Sequence, residues 1–214
     1  MPPEAVALEG YTGYFADARR RGYSGVAIYT KRAPLAVTRT CGWEEMDAEG
    51  RFLQLDFGNL TIASLYAPSG ISGAARQSLK LRFLDHLLGL LAALRARGGH
   101  HIVCGDFNVA HREIDIYDPV RNRGVTGFTP AERATFDAIL ASGWVDAFRA
   151  VNAEPRQYTW WSNWPQAWIR NLGWRIDYQI VSADLAPLVR AASIYKEQRF
   201  SDHAPVTIEY DVAL

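Results

Sequence analysis

Apolar and aromatic residues up to position 65 come in short runs broken by turn formers. The pattern predicts strands over 11–16, 26–30, 35–38, 52–57 and 60–65. Arg21-Gly22-Tyr23-Ser24-Gly25 is the turn of a hairpin between the first two, and Gly58-Asn59 turns between the last two. Then the period changes. Phe83, Leu84, Leu87, Leu88, Leu91 and Leu94 recur at three- and four-residue intervals, which predicts a helix over 74–97 with one face on a sheet, ended by Gly98-Gly99. A short buried strand follows at Ile102-Val103-Cys104. Residues 110–128 have no period and are long enough for a functional loop. Thr129-Pro130-Ala131-Glu132 reads as a capping box with proline at the first helical position, opening a helix whose apolar face is Phe136, Ile139 and Leu140 and which Gly143 ends. Strands over 175–181 and 205–212, with a helical turn at 185–189 between them, complete the pattern.

Strands in runs with few long helices predict two packed, largely antiparallel sheets flanked by helices, rather than a wound parallel sheet. At 214 residues, 49% hydrophobic and 21% charged, the chain reads as one globular domain over 1–214. No apolar run reaches membrane-spanning length. Met-Pro-Pro-Glu lacks the basic and apolar regions of a signal peptide, and two cysteines make no disulfide framework, so a reducing cytoplasm is expected. Net charge is zero, which leaves any nucleic-acid surface to local clusters: Arg19-Arg20-Arg21, Lys31-Arg32, Arg121 with Arg123, and Arg170 with Arg175.

The chemistry gathers at strand ends. The strand through Cys104 runs into Gly105-Asp106-Phe107-Asn108, and a period of two would put Asp106 and Asn108 on one side. Such oxygen donors suit Mg²⁺ or Mn²⁺, and an ionised Asp106 could instead hold or deprotonate a water; an Asx turn closing the strand is the plain alternative. Asp177 lies within the strand over 175–181 and needs a partner, for which Arg175, two residues away, is a structural candidate. Ser201-Asp202-His203-Ala204-Pro205 stands at the entrance to the last strand, and Tyr66 ends the strand over 60–65. Five of the seven tryptophans, Trp160, Trp161, Trp164, Trp168 and Trp174, fall within one segment.

In order and approximate spacing, Gly105-Asp106-Phe107-Asn108, Trp174-Arg175-Ile176-Asp177-Tyr178 and Ser201-Asp202-His203-Ala204-Pro205 resemble the exonuclease III and apurinic/apyrimidinic endonuclease family. Gly22-Tyr23-Ser24-Gly25-Val26 and Gly127-Phe128-Thr129-Pro130-x-Glu132-Arg133 are similar to its DNA-repair branch. The resemblance implies an α/β, four-layer sandwich of two packed mixed β-sheets flanked by helices. It also implies Mg²⁺-dependent hydrolysis, with Mn²⁺ as substitute, of the phosphodiester 5′ to abasic sites, together with 3′-to-5′ exonuclease activity. The implied partner is double-stranded DNA with abasic or 3′-blocked sites, bound by a monomer that works at the bacterial nucleoid. By the same resemblance Asp106 prepares the water, Asn108 fixes its geometry, Asp177 orients and charges His203, and Tyr66 meets the phosphate or leaving oxygen. Asp106, Asn108, Asp202 and His203 are the implied metal positions. Asn122 is expected to hold a phosphate, and Trp160, Trp174 and Ile176 to line a pocket for the extrahelical sugar. Trp161 is expected in the core.

The sequence departs from the family in one respect. The family opens with a strand ending in asparagine, a helix, and a strand ending in Gln-Glu whose glutamate binds metal, and this sequence begins past them. The expectation is therefore a domain incomplete at its N-terminus, and the alternative function is a catalytically impaired DNA-binding remnant.

Overall fold

The computed structural model describes residues 7–213; the N-terminal reading of residues 1–6, and the unit expected before them, lie outside these. The centre is a six-stranded sheet ordered β3 (Ala36–Thr38), β4 (Phe52–Asp56), β5 (Leu60–Tyr66), β6 (His100–Asp106), β8 (Asp177–Ser182), β7 (Trp144–Asp146). Only β5 and β6 run parallel; the other neighbours are antiparallel. Two hairpin sheets accompany it, β1 (Thr12–Ala16) with β2 (Val26–Thr30), and β9 (Val189–Ile194) with β10 (Val206–Tyr210).

Alternation along the central strands sorts their side chains. Val103, Leu65, Phe52 and Ile180 point to one face, where α2 (Ala74–Ala96) brings Phe83, Leu87, Leu91 and Leu94 and α3 (Pro130–Ala141) brings Phe136 and Ile139. Ile102, Leu60 and Val181 point the other way onto Leu185, Val189 and Ile208, while Leu53 and Leu55 meet Tyr14, Val26 and Ile28 of the first hairpin. Sheets thus pack on sheet on one side and helices on the other, as a mixed α/β sandwich requires. The described sheets are largely antiparallel, as expected, and the parallel β5/β6 pair has α2 as its crossover.

The expected capping box is present: Thr129 Oγ1 accepts from Glu132 N at 3.3 Å, and Glu132 Oε2 accepts from Thr129 N at 2.9 Å. Five short elements carry no clear period in the sequence: α1 (Glu44–Ala48), β7, α4 (Ala147–Val151), α5 (Pro165–Ile169) and β9. Among the described residues no helix is long and apolar enough to cross a membrane.

Candidate active site

Pairing across the central sheet aligns the first three side chains. In β5/β6 Tyr66 stands opposite Asp106, and in β6/β8 Asp106 stands opposite Asp177, so the three lie in a row along one end of the sheet. Gly105 makes the row close. Its φ is +141°, and a β-carbon there would overlap the Leu65 carbonyl oxygen, so only glycine lets β6 turn Asp106 beside Tyr66. Asn108 is not brought round by strand alternation; it lies beyond β6 at φ +54°. Its backbone N–H donates to Asp106 Oδ1 at 2.7 Å and its Nδ2 to Asp106 Oδ2 at 2.9 Å and to Ala67 O at 3.0 Å. The Asx turn and the convergence of the two side chains are one feature.

Asp177 opens β8 rather than interrupting it, and Arg175 is not its partner. Arg175 is buried and turns to Asp115 at 2.8 Å and Asp146 at 2.6 Å, so it also leaves the set of surface basic clusters. Asp177 instead takes His203, whose Nδ1 lies 2.9 Å from Oδ2 and 3.1 Å from Oδ1. Thr159, fully buried, anchors this end by accepting from the N–H groups of Ile176 and Asp177 at 3.1 and 3.2 Å. Asp202 accepts from Ser201 Oγ at 3.0 Å and Trp160 Nε1 at 3.2 Å.

These groups tune one another. Burial, then the charge of Asp177 opposite, pushes the Asp106 carboxyl up to about 7 against the pull of His203. Burial works against charge on His203 too, but the hydrogen bond and charge of Asp177, with Asp106 and Asp202, raise it to about 9, so it is an imidazolium at neutral pH. Burial and Asp106 raise the Tyr66 phenol, opposed by the Arg51 guanidinium 4.8 Å over its ring. Burial would raise Asp202 as well, yet the Ser201 and Trp160 hydrogen bonds hold it below the usual range.

Tyr66, Asp106, Asn108, Asp202 and His203 face a cavity of about 350 Å³ whose other walls include Trp160, Trp174 and Ile176. The two indoles meet edge to face at 6.1 Å. Asp177 stands behind His203. Asn122 is not among the lining residues: its side-chain amide donates to the carbonyls of Tyr117 and Asp118, both at 2.9 Å, and closes a turn. Trp161 is core, as expected, with Trp168 stacked edgewise on it, and Trp164 is exposed. Three supporting residues escaped the sequence reading: Arg51, Thr159 and Lys80. Lys80 had left a signal, since three and four residues before Phe83 and Leu84 it sits on the helix's apolar face.

Asp106 and Asp202 both line the cavity, and two carboxylates there suit a hard divalent cation that takes its other ligands from water and phosphate. Among the described residues no group of three or more His, Cys, Asp or Glu converges to hold a metal by itself.

An acidic row, an imidazolium and a sandwich of sheets define a phosphodiester hydrolase of the nuclease type. The chain belongs to the endonuclease/exonuclease/phosphatase family, whose pattern it matches over residues 2–203. It is 40% identical over 201 residues to the exodeoxyribonuclease of Bacillus subtilis, covering 94% of this chain and 79% of that protein. Among solved structures, the AP endonuclease of Archaeoglobus fulgidus superposes with a TM-score of 0.86 at 27% identity, over 95% of this chain and 80% of that one. The 3′ phosphatase NExo of Neisseria, bound to a product DNA hairpin, gives 0.91 at 27% identity, over 99% and 84%.

Proposed function

We propose that this chain is a divalent-cation-dependent DNA repair nuclease that hydrolyses the phosphodiester 5′ to an abasic site and trims 3′ ends. The observation that carries the reading is a single cavity with an aligned carboxylate and a charged imidazole on one side and an apolar indole recess on the other. Asp106 holds and deprotonates the attacking water, with Asn108 fixing its carboxylate. Protonated His203, held by Asp177, stabilises charge on the phosphate, and the Tyr66 phenol meets the leaving oxygen. Trp160, Trp174 and Ile176 accept a baseless sugar, so shape selects the lesion. The exposed Arg19–Arg21, Lys31–Arg32, Arg121, Arg123 and Arg170 would track the duplex backbone.

Asp202 and Asp106 would hold Mg²⁺, or Mn²⁺ in its place, with the Asn108 amide oxygen as a further donor. His203, as an imidazolium, has no lone pair to offer on the protonated nitrogens and is assigned to phosphate instead. When bound, the ion supplies Lewis-acid stabilisation of a phosphoryl oxygen. A second reading is a DNA-binding remnant; among the described residues no group of three or more His, Cys, Asp or Glu could hold a metal by itself. Incubation with a duplex carrying one abasic analogue separates the two: Mg²⁺-supported incision 5′ to the lesion, abolished by EDTA and absent on intact duplex, is expected. Tight binding without cutting in either Mg²⁺ or Mn²⁺ would select the remnant.

A further inference from the structure

In the wall of the cavity, which Lys80 helps to line, lies a buried ion pair to which the proposed chemistry gives no role. Lys80 of α2 and Glu132 of α3 are 1% and 0% exposed, and Lys80 Nζ donates both to Glu132 Oε1 and, at 2.6 Å, to the backbone carbonyl of Asn108. Glu132 is saturated on its other sides. Its Oε2 accepts from Gly127 N at 2.9 Å, Thr129 N at 2.9 Å and Thr129 Oγ1 at 2.8 Å, and its Oε1 from Gln77 Nε2 at 3.0 Å. A helix cap explains the Thr129 contacts. It does not explain a lysine on the apolar face of another helix, reaching through the core to one carbonyl.

What the pair touches is informative. On one side it grips Asn108, whose own N–H groups clamp the Asp106 carboxylate. On the other it grips Gly127, packed so tightly that a β-carbon there would come 2.8 Å from the Trp174 indole and 3.2 Å from Asn108 O. Ala110 N donates to Gly127 O at 2.7 Å and closes the same loop. Asp106 and the indole wall belong to different segments, and this ion pair joins them: hydrogen bonds run through Asn108 to Asp106 on one side, and on the other a hydrogen bond holds Gly127, which packs against the Trp174 indole.

We propose that Lys80 and Glu132 are positioning residues that fix the distance between the Asp106–Asn108 turn and the Trp174 wall, so that the water-preparing carboxylate and the bound sugar share one geometry. This rests on the nuclease reading above. A displacement of about 1 Å at a reacting group costs on the order of 10²-fold in rate even when binding is kept. Removing a charge from inside the core costs stability as well, because its partner is left unpaired.

The test uses the full chain on an abasic duplex under single-turnover and steady-state conditions. Lys80→Met is expected to lower kcat roughly 10- to 100-fold with KM within about threefold, and Lys80→Arg, which can still donate to both partners, to restore most of it. In an Asp106→Asn background Lys80→Met should add little further loss, because it acts through that carboxylate. Glu132→Gln, which keeps the shape, provides the same comparison if Lys80→Met does not fold. Amide exchange at Gly127 and Asn108, read without any substrate, should quicken in either variant. A wild-type kcat in folded Lys80→Met or Glu132→Gln, full additivity with Asp106→Asn, or unchanged exchange at both amides would each overturn the proposal. Failure of the wild-type chain to cut would instead count against the nuclease reading and leave the exchange result standing.

Discussion

Asp106 lives among opposing demands: it is buried and faces Asp177 directly across a strand pair, an arrangement that penalises two negative charges, while His203 and the two Asn108 N–H groups favour its ionised form. Such a group is suited to exchange a proton near neutrality. Asp106→Asn keeps the shape and removes the base, so turnover should fall about 10²- to 10⁴-fold while affinity for an uncleavable abasic duplex holds; an unchanged incision rate would exclude Asp106 from the chemistry. Asp177 and His203 share one hydrogen-bonded contact, and their alanine substitutions should be strongly non-additive. Independent losses in that double-mutant cycle would rule out the dyad. These side chains were legible in the sequence because the motifs that carry them resemble those of a known family; taken singly, an Asx turn accounted for Asp106 and Asn108 equally well. Their partners were less so. Asp177 could be assigned to nearby Arg175 by sequence distance, whereas the fold gives Arg175 two buried carboxylates and leaves Asp177 for a histidine 26 residues on. Arg51 and Thr159 act through contacts between segments far apart in the chain, which no local pattern announces.

The long elements follow from their period. α2 buries Leu79, Phe83, Leu84, Leu87, Leu91 and Leu94 in the spacing that the sequence displays, and β4, β5 and β6 fall where apolar runs place them. The shortest helices and β7 do not, since α1, α4 and α5 are too short to show a helical period, and β7 with its three residues is held by pairing to β8. Gly105 reads locally as an ordinary turn residue, yet it stands inside β6 where the Leu65 carbonyl of β5 leaves no room for a β-carbon. Gly105→Ala should therefore act on the element, forcing β5 and β6 apart at the end that aligns Tyr66 with Asp106. We expect a loss of about 3 kcal/mol in urea unfolding, from backbone strain plus overlap. Loss of incision should persist in the residual folded fraction, and a stable, fully active variant would show that the tight approach is dispensable.

At the scale of the whole molecule, one buried charge cluster ties together segments that the sheet alone does not. Asp115, in the long loop after β6, accepts from Arg175 at 2.8 Å and from Arg149 of α4 at 2.7 Å, and Arg175 reaches Asp146 at the end of β7 at 2.6 Å. Burial works against the Asp115 charge, but the two guanidiniums more than offset it and hold its carboxyl below the usual range. The sign of the linkage follows. A carboxyl whose folded pKa is depressed contributes stability at every pH above its unfolded value, about 3.9, and that contribution is lost as pH falls through the lower folded value. Acid should therefore loosen the loop over 110–128, β7 and α4 together, because protonated Asp115 leaves Arg175 with a single carboxylate in the core. Asp115→Asn should melt lower than the wild type at pH 7, by an amount corresponding to about 3 kcal/mol, and the gap should narrow steadily below pH 4. A gap that is constant down to pH 2 would mean that Asp115 acts through shape and hydrogen bonding alone, and that its charge does not hold these segments to the sheet.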